Sequence, residues 1–107
     1  GFGGVTTELW GDVTHLLAPV APADVKVALG RLRSAPLLTG FRGRPAADVD
    51  ALAELVVGLT DAVVGTDVVE VELNPVLVGT TGATAVDALL LVDAGAAQDR
   101  TTREGHT

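Results

Sequence analysis

Three oxygen-bearing side chains, Glu72, Asn74 and Asp87, fall within the largely apolar stretch from Val68 to Leu91, VVEVELNPVLVGTTGATAVDALLL. Its two β-branched runs, joined by Gly79-Thr80-Thr81-Gly82, read as a β-hairpin. Centring the turn between Thr80 and Thr81 sets one register however the glycine-flanked loop closes, and in that register Asn74 faces Asp87. Directly opposed residues have Cβ atoms roughly 4.5–5.5 Å apart, so the amide and carboxylate oxygens could converge on one small cation. Glu72 lies on the strand face of Asn74, because side chains alternate with period two. Polar groups buried without partners cost free energy, so this cluster needs water, internal partners or a ligand.

Other candidate groups are scattered. Gly1-Phe2-Gly3-Gly4 offers bare backbone to an anion, but a phosphate loop needs a helix after its glycines, and Val5 to Trp10 reads as a strand. Glu8 and Asp12 sit near the turn signal Gly11-Asp12, where two carboxylates either do acid–base work or are simply solvated. The connector Leu37 to Pro45 places Arg42 and Arg44 beside glycines. Such arginines can present a guanidinium fork to a phosphate or carboxylate, or merely keep a loop soluble. His15, in an apolar strand-like run, and His106, near the carboxy end, receive no role.

Positioning these groups requires two hairpins and two helices. Val5–Trp10 and Val13–Val20 form the first expected hairpin across Gly11-Asp12. Pro22 opens a helix with Asp24 in its first turn; Val25, Ala28, Leu29 and Leu32 make its apolar stripe, and Ser34-Ala35-Pro36 ends it. A second helix is expected over Ala46 to Val64, where Leu52, Leu55, Val56, Leu59 and Val63 recur at helical spacing, Asp48 and Asp50 mark the start and Gly65 the stop. The order hairpin, helix, helix, hairpin implies an α+β fold, a mostly antiparallel sheet with two main helices on one face. Residues 93–107 lack periodicity and read as a polar, disordered tail or linker after a lobe spanning residues 1–92.

The chain has 107 residues, one domain at most, and 48% of them are hydrophobic while only 3% are aromatic. Val, Leu and Ala must therefore fill the core. A formal charge of −7 argues against nucleic-acid binding. No apolar run reaches the roughly 18–20 residues of a membrane span, and the amino end carries no leader pattern, so a soluble cytoplasmic protein is expected. There is no cysteine, which fits a reducing compartment. A chain that starts at Gly1 and contains no methionine reads as a segment of something longer.

Taken together, GGVTTELWGDV, APLLTGFRGRPAADV, VELNPVLV and AVDALL resemble, in order and spacing, the carboxy-terminal part of an ATP-grasp domain. The version they resemble is that of the nucleoside-diphosphate-forming acyl-CoA synthetases, relatives of the succinyl-CoA synthetase β subunit. The resemblance covers residues 1 to 92. It implies a ligase that joins a carboxylic acid to CoA with ATP, through an acyl phosphate and a phosphohistidine, releasing ADP and phosphate. Asn74 and Asp87 correspond to the family's magnesium-holding asparagine and aspartate. Glu72 matches the glutamate implicated in the phosphohistidine step, and Arg42 and Glu8 become the candidates for contact with ATP or ADP.

The resemblance also implies partners: the other ATP-grasp lobe with its adenine pocket, and the CoA-binding and ligase domains. Without them this segment should not turn over substrate. Two positions depart from the family pattern. Leu89 stands where a basic residue commonly follows the magnesium aspartate, and Leu16 stands where an arginine is frequent. Loss of cations beside a phosphate site makes a degenerate lobe, acting as a regulatory or interaction module, the second reading.

Overall fold

The structure is a computed structural model that describes residues 1–3 and 9–93. Among the described residues, after the helical Leu9 and Trp10, come α1 Pro22–Gly30, α2 Pro36–Thr39 and α3 Val49–Val63, then β1 Val68–Leu73, β2 Val76–Val78, β3 Ala83–Ala85 and β4 Ala88–Val92. The expected α+β class is what folds. Among the described residues no helix is long and apolar enough to cross a membrane.

Helix α1 begins as its residues dictate. Pro22 occupies the first turn, and the Asp24 carboxylate accepts the Ala21 N–H at 2.9 Å. The helix stops at Gly30, short of Ser34: the Arg31 and Leu32 amides close tighter turns on Ala28 and Leu29, and the amides after them find another acceptor. The N–H groups of Arg33 and Ser34 donate to Asp12, at 2.7 and 2.9 Å, instead of to carbonyls one turn back. Pro36 then opens the short α2.

Helix α3 starts at Val49 and not at Ala46. The Ala47 N–H donates to the Leu38 carbonyl at 2.8 Å, and Asp48 stands outside the helix as its cap, accepting the Ala51 N–H at 3.0 Å. Gly65, with φ 75°, turns the chain away after Val63, a conformation open to glycine at little cost. Helices α1 and α3 pack together, burying Val25, Ala28, Leu32 and Ala53. Each fully buried Val or Leu contributes roughly 1.5–3 kcal/mol. On the outside, Lys26 pairs with Asp50.

The strands form one long interrupted hairpin. β1 pairs antiparallel with β4, Leu73 opposite Ala88 and Glu72 opposite Leu89, with a bulge between Val68 and Glu70. β2 pairs with β3, Val76 opposite Ala85 and Val78 opposite Ala83. From Glu70 to Leu91 both ladders keep the register expected from the turn at Thr80 and Thr81; beyond the bulge Val68 pairs with Val92, one residue out of it. The break falls at Asn74-Pro75, where proline has no N–H to give the ladder.

Among the described residues, the first expected hairpin is not formed. Leu9 and Trp10 are helical, and residues 11–20 contain no strand. Val5 to Glu8 lie outside the described residues, as does the expected tail from residue 94. Strand propensity in Val13–Val20 goes unused because no sheet edge receives it, Gly11 turns the chain at φ 58°, and Pro19 lacks a donor. The helices therefore do not cover one continuous sheet. α3 touches β2 and β3, whereas all five residues of β4 are exposed.

Candidate functional site

The three oxygen-bearing residues come from the interrupted part of the hairpin. The Asn74 N–H donates to the Asp87 carbonyl at 3.2 Å, and the Val86 N–H donates to the Pro75 carbonyl at 3.0 Å. Asn74 and Asp87 are thus cross-strand neighbours. The Asp87 carboxylate accepts the Ala88 N–H at 2.9 Å through Oδ1, which leaves Oδ2 available. Glu72, two residues before Asn74 on the same strand, has no side-chain partner among the described residues. All three are exposed.

Glu72 and Asn74 line a cavity of about 530 Å³ with Phe2, Gly3, Leu32 and Val76; Asp87 is not part of its wall. Gly3 lies directly against Asn74. A Cβ at that glycine would stand 3.0 Å from Asn74 Oδ1, so a larger residue would have to displace the amide. The glycine-rich start thus meets the strand asparagine, a contact that no local pattern in the sequence announces.

The arginine loop is a separate piece of the surface. Gly40 at φ 96°, Arg42 at φ 53° and Gly43 at φ 76° take left-handed backbone conformations, and the Arg44 N–H closes a turn on the Phe41 carbonyl at 3.2 Å. The Arg42 guanidinium lies over the Phe41 ring, 5.2 Å from its centroid, within cation–π range. Neither Arg42 nor Arg44 has an ion-pair partner among the described residues, so both keep their charge free for an anion. Glu8 lies outside the described residues.

Two aspartates have larger structural parts than their sequence context suggests. Asp12, expected at a hairpin tip, is only 7% exposed and gathers the Arg33 and Ser34 amides and the Ser34 hydroxyl. The Ser34 hydroxyl above all, with those amides and the nearby Arg33 charge, holds its carboxyl below the usual range, while burial pulls the other way.

Asp48, read from sequence as a helix start, also reaches the hairpin tip. Its Oδ2 accepts the Gly82 N–H at 2.8 Å, and its own N–H donates to the Gly79 carbonyl at 2.7 Å. The Ala51 and Gly82 amides lower its pKa against a smaller opposing effect of burial. The signal in the sequence was the Gly79–Gly82 turn itself, whose amides need an acceptor.

Among the described residues no group of three or more His, Cys, Asp or Glu gathers to enclose a metal ion. The side-chain oxygens of two cross-strand neighbours, an amide and a carboxylate, would make an oxygen-only donor set, of the kind that suits a hard divalent cation taking one or two protein ligands and completing its shell from water and phosphate. It does not fit zinc, which draws on nitrogen and sulfur.

The ATP-grasp domain family matches residues 1–92. The chain belongs to that family. Its relatives are of a particular kind. A trans-feruloyl-CoA synthase from an unknown prokaryotic organism is 44% identical over 96 residues, covering 87% of this chain and 14% of that protein. The β subunit of an ADP-forming acetate–CoA ligase from Pyrococcus furiosus is 29% identical over 93 residues, covering 86% of this chain and 40% of that subunit.

Among solved structures, the chain resembles a dinucleotide-forming acetyl-coenzyme A synthetase from Ca. Korarchaeum cryptofilum in complex with coenzyme A and Mg-AMPPCP. The TM-score is 0.79 at 32% identity, covering 87% of this chain and 44% of that one. The chain therefore spans less than half the length of each of these proteins. The family named by the motifs and the matched residues agree.

Proposed function

We propose that this chain is the magnesium- and nucleotide-phosphate-binding lobe of an ADP-forming acid–CoA ligase. The observation that carries the reading is the placement of Asn74 opposite Asp87 in a chain whose relatives are ADP-forming acyl-CoA ligases. The whole enzyme would convert a carboxylic acid, CoA and ATP into an acyl-CoA, ADP and phosphate, by way of an acyl phosphate and a phosphohistidine. Asn74 and Asp87 hold magnesium in this reading. When bound, the ion would draw charge from the transferring phosphoryl group. Arg42 and Glu8 meet the nucleotide, and Glu72 serves the phosphohistidine step by orienting the imidazole or balancing its charge.

The segment alone is expected to be inactive. Leu89, Leu90, Leu91 and Val92 are each roughly half exposed, and a two-stranded ribbon is marginal by itself in water. This apolar ribbon is where the remaining ATP-grasp lobe would pack, with CoA-binding and ligase domains on the same or a partner chain. Lobe and partners would work in the cytoplasm, where ATP and CoA are found.

One observation favours a second reading, a degenerate lobe that binds or regulates without catalysis. Glu72 faces Leu89 across the strands and not a cation. ATP- and CoA-dependent release of ADP by the full-length protein separates the two. Wild-type turnover that collapses in Asp87→Asn supports the ligase; equal turnover by both proteins removes the magnesium role, and a wild type that binds nucleotide without turnover favours regulation.

A further inference from the structure

Asp48 stands where three parts of the molecule meet. Its Oδ1 caps α3 through the Ala51 N–H at 3.0 Å. Its Oδ2 accepts the Gly82 N–H at 2.8 Å, and its backbone N–H donates to the Gly79 carbonyl at 2.7 Å, so both ends of the hairpin tip are fastened to one residue. The Gly79 N–H in turn donates to the Gly82 carbonyl at 3.0 Å, closing the turn. One residue earlier, the Ala47 N–H closes the arginine loop onto Leu38 at 2.8 Å.

The loop bearing Arg42 and Arg44 thus ends beside the anchor of the hairpin that carries Asn74 and Asp87 at its base. We infer that Asp48 is a positioning residue: its two carboxylate oxygens tie the start of α3 to the hairpin tip, and because the adjacent Ala47 closes the arginine loop onto Leu38, that tie also fixes the loop relative to the Asn74/Asp87 hairpin. The inference rests on the proposed roles of Arg42, Asn74 and Asp87. Its physical basis is that an exposed glycine-rich loop and a three-residue ladder have little else to fix their mutual orientation. A carboxylate accepting two backbone amides supplies two strong, directional restraints. A cation held from one element and phosphates met by the other would both shift if that link opened.

The substitution Asp48→Asn separates this role from helix capping. Asparagine caps a helix as well as aspartate does, but it has one acceptor oxygen where the carboxylate has two. In full-length protein, Asp48→Asn is expected to stay folded with a modestly lower melting temperature and to keep kcat while KM for MgATP rises roughly tenfold, within the range that misplacement of reacting groups produces. Hydrogen exchange at the Gly82 and Ala47 amides, the first bonded to Asp48 and the second closing the arginine loop on Leu38, should accelerate together. Asp48→Ser, which caps but is too short to reach Gly82, should behave alike.

If Asp87→Asn abolishes ADP release while Asp48→Asn shows wild-type KM and wild-type exchange at both amides, the positioning role is overturned. Loss of the fold in both Asp48 variants overturns it equally, since Asp48 would then be a folding residue. If Asp87→Asn has no effect, the magnesium reading fails on its own. The exchange measurement then still decides the link: coupled acceleration at Gly82 and Ala47 supports it, and unchanged exchange sinks it.

Discussion

The N–H of Asn74 donates to the carbonyl of Asp87 at 3.2 Å, at the point where Pro75 breaks a long hairpin into two ladders. Ladder pairing on either side, β1 with β4 and β2 with β3, holds both residues in place. Asp87→Asn keeps the size of the side chain and removes its charge. Loss of about 10²–10³-fold in kcat is expected in the full-length protein, comparable to removing one group that stabilises developing charge. ADP release measured against magnesium concentration checks this, and a partial recovery at high magnesium would mark weakened ion binding.

Arg42 has φ 53°, an uncommon conformation for a residue with a Cβ. Arg42→Gly relieves that backbone but frees the unfolded chain, two effects of about 1 kcal/mol each that nearly cancel. Stability should therefore hold within about 0.5 kcal/mol in urea titration, while KM for ATP rises. Arg42→Lys keeps the charge but not the planar fork, and should restore only part of the affinity.

Ala53 is fully buried between α1 and α3. Ala53→Leu has no room to occupy and should cost about 1–3 kcal/mol. Leu32→Ala, which empties a site only 5% exposed, should cost about 2–5 kcal/mol. Both would appear as a lower urea midpoint with an unchanged slope.

The pKa values of Asp12 and Asp48 lie below the ordinary carboxyl value. Groups with lowered folded pKa stabilise the protein fully above the unfolded value of about 3.9, and lose that contribution as pH falls through the folded value. Stability should therefore be flat above about pH 5 with respect to these two groups and decline below about pH 4. In Asp12→Asn the decline should be shallower, because one carboxyl that must be protonated is gone. Thermal melts across an acid series measure both slopes.

Much of the fold is legible in the sequence. Apolar spacing in Val25 to Leu32 and in Leu52 to Val63 marks the two packed helices, and Gly79-Thr80-Thr81-Gly82 fixes which residues face one another across the hairpin. These are local signals, carried by helical periodicity, by alternation and by turn chemistry, so they survive without knowledge of the rest of the fold. Four motifs in order were enough to name the family.

The remainder depended on contacts between distant segments. Val13 to Val20 has strand-like residues but no strand, because pairing needs a free edge and propensity alone cannot supply one. Asp12 ends α1 from 21 residues away in sequence, and Asp48 reaches 34 residues ahead to the hairpin tip. A carboxylate's local context reveals that it is available, not which amides it will meet. By itself the sequence determined the helices, the hairpin register and the facing of Asn74 and Asp87. Only the tertiary structure decided where the helices end, which aspartates bind them to their neighbours, and that Gly3 lies against Asn74, since each depends on backbone amides brought close by packing.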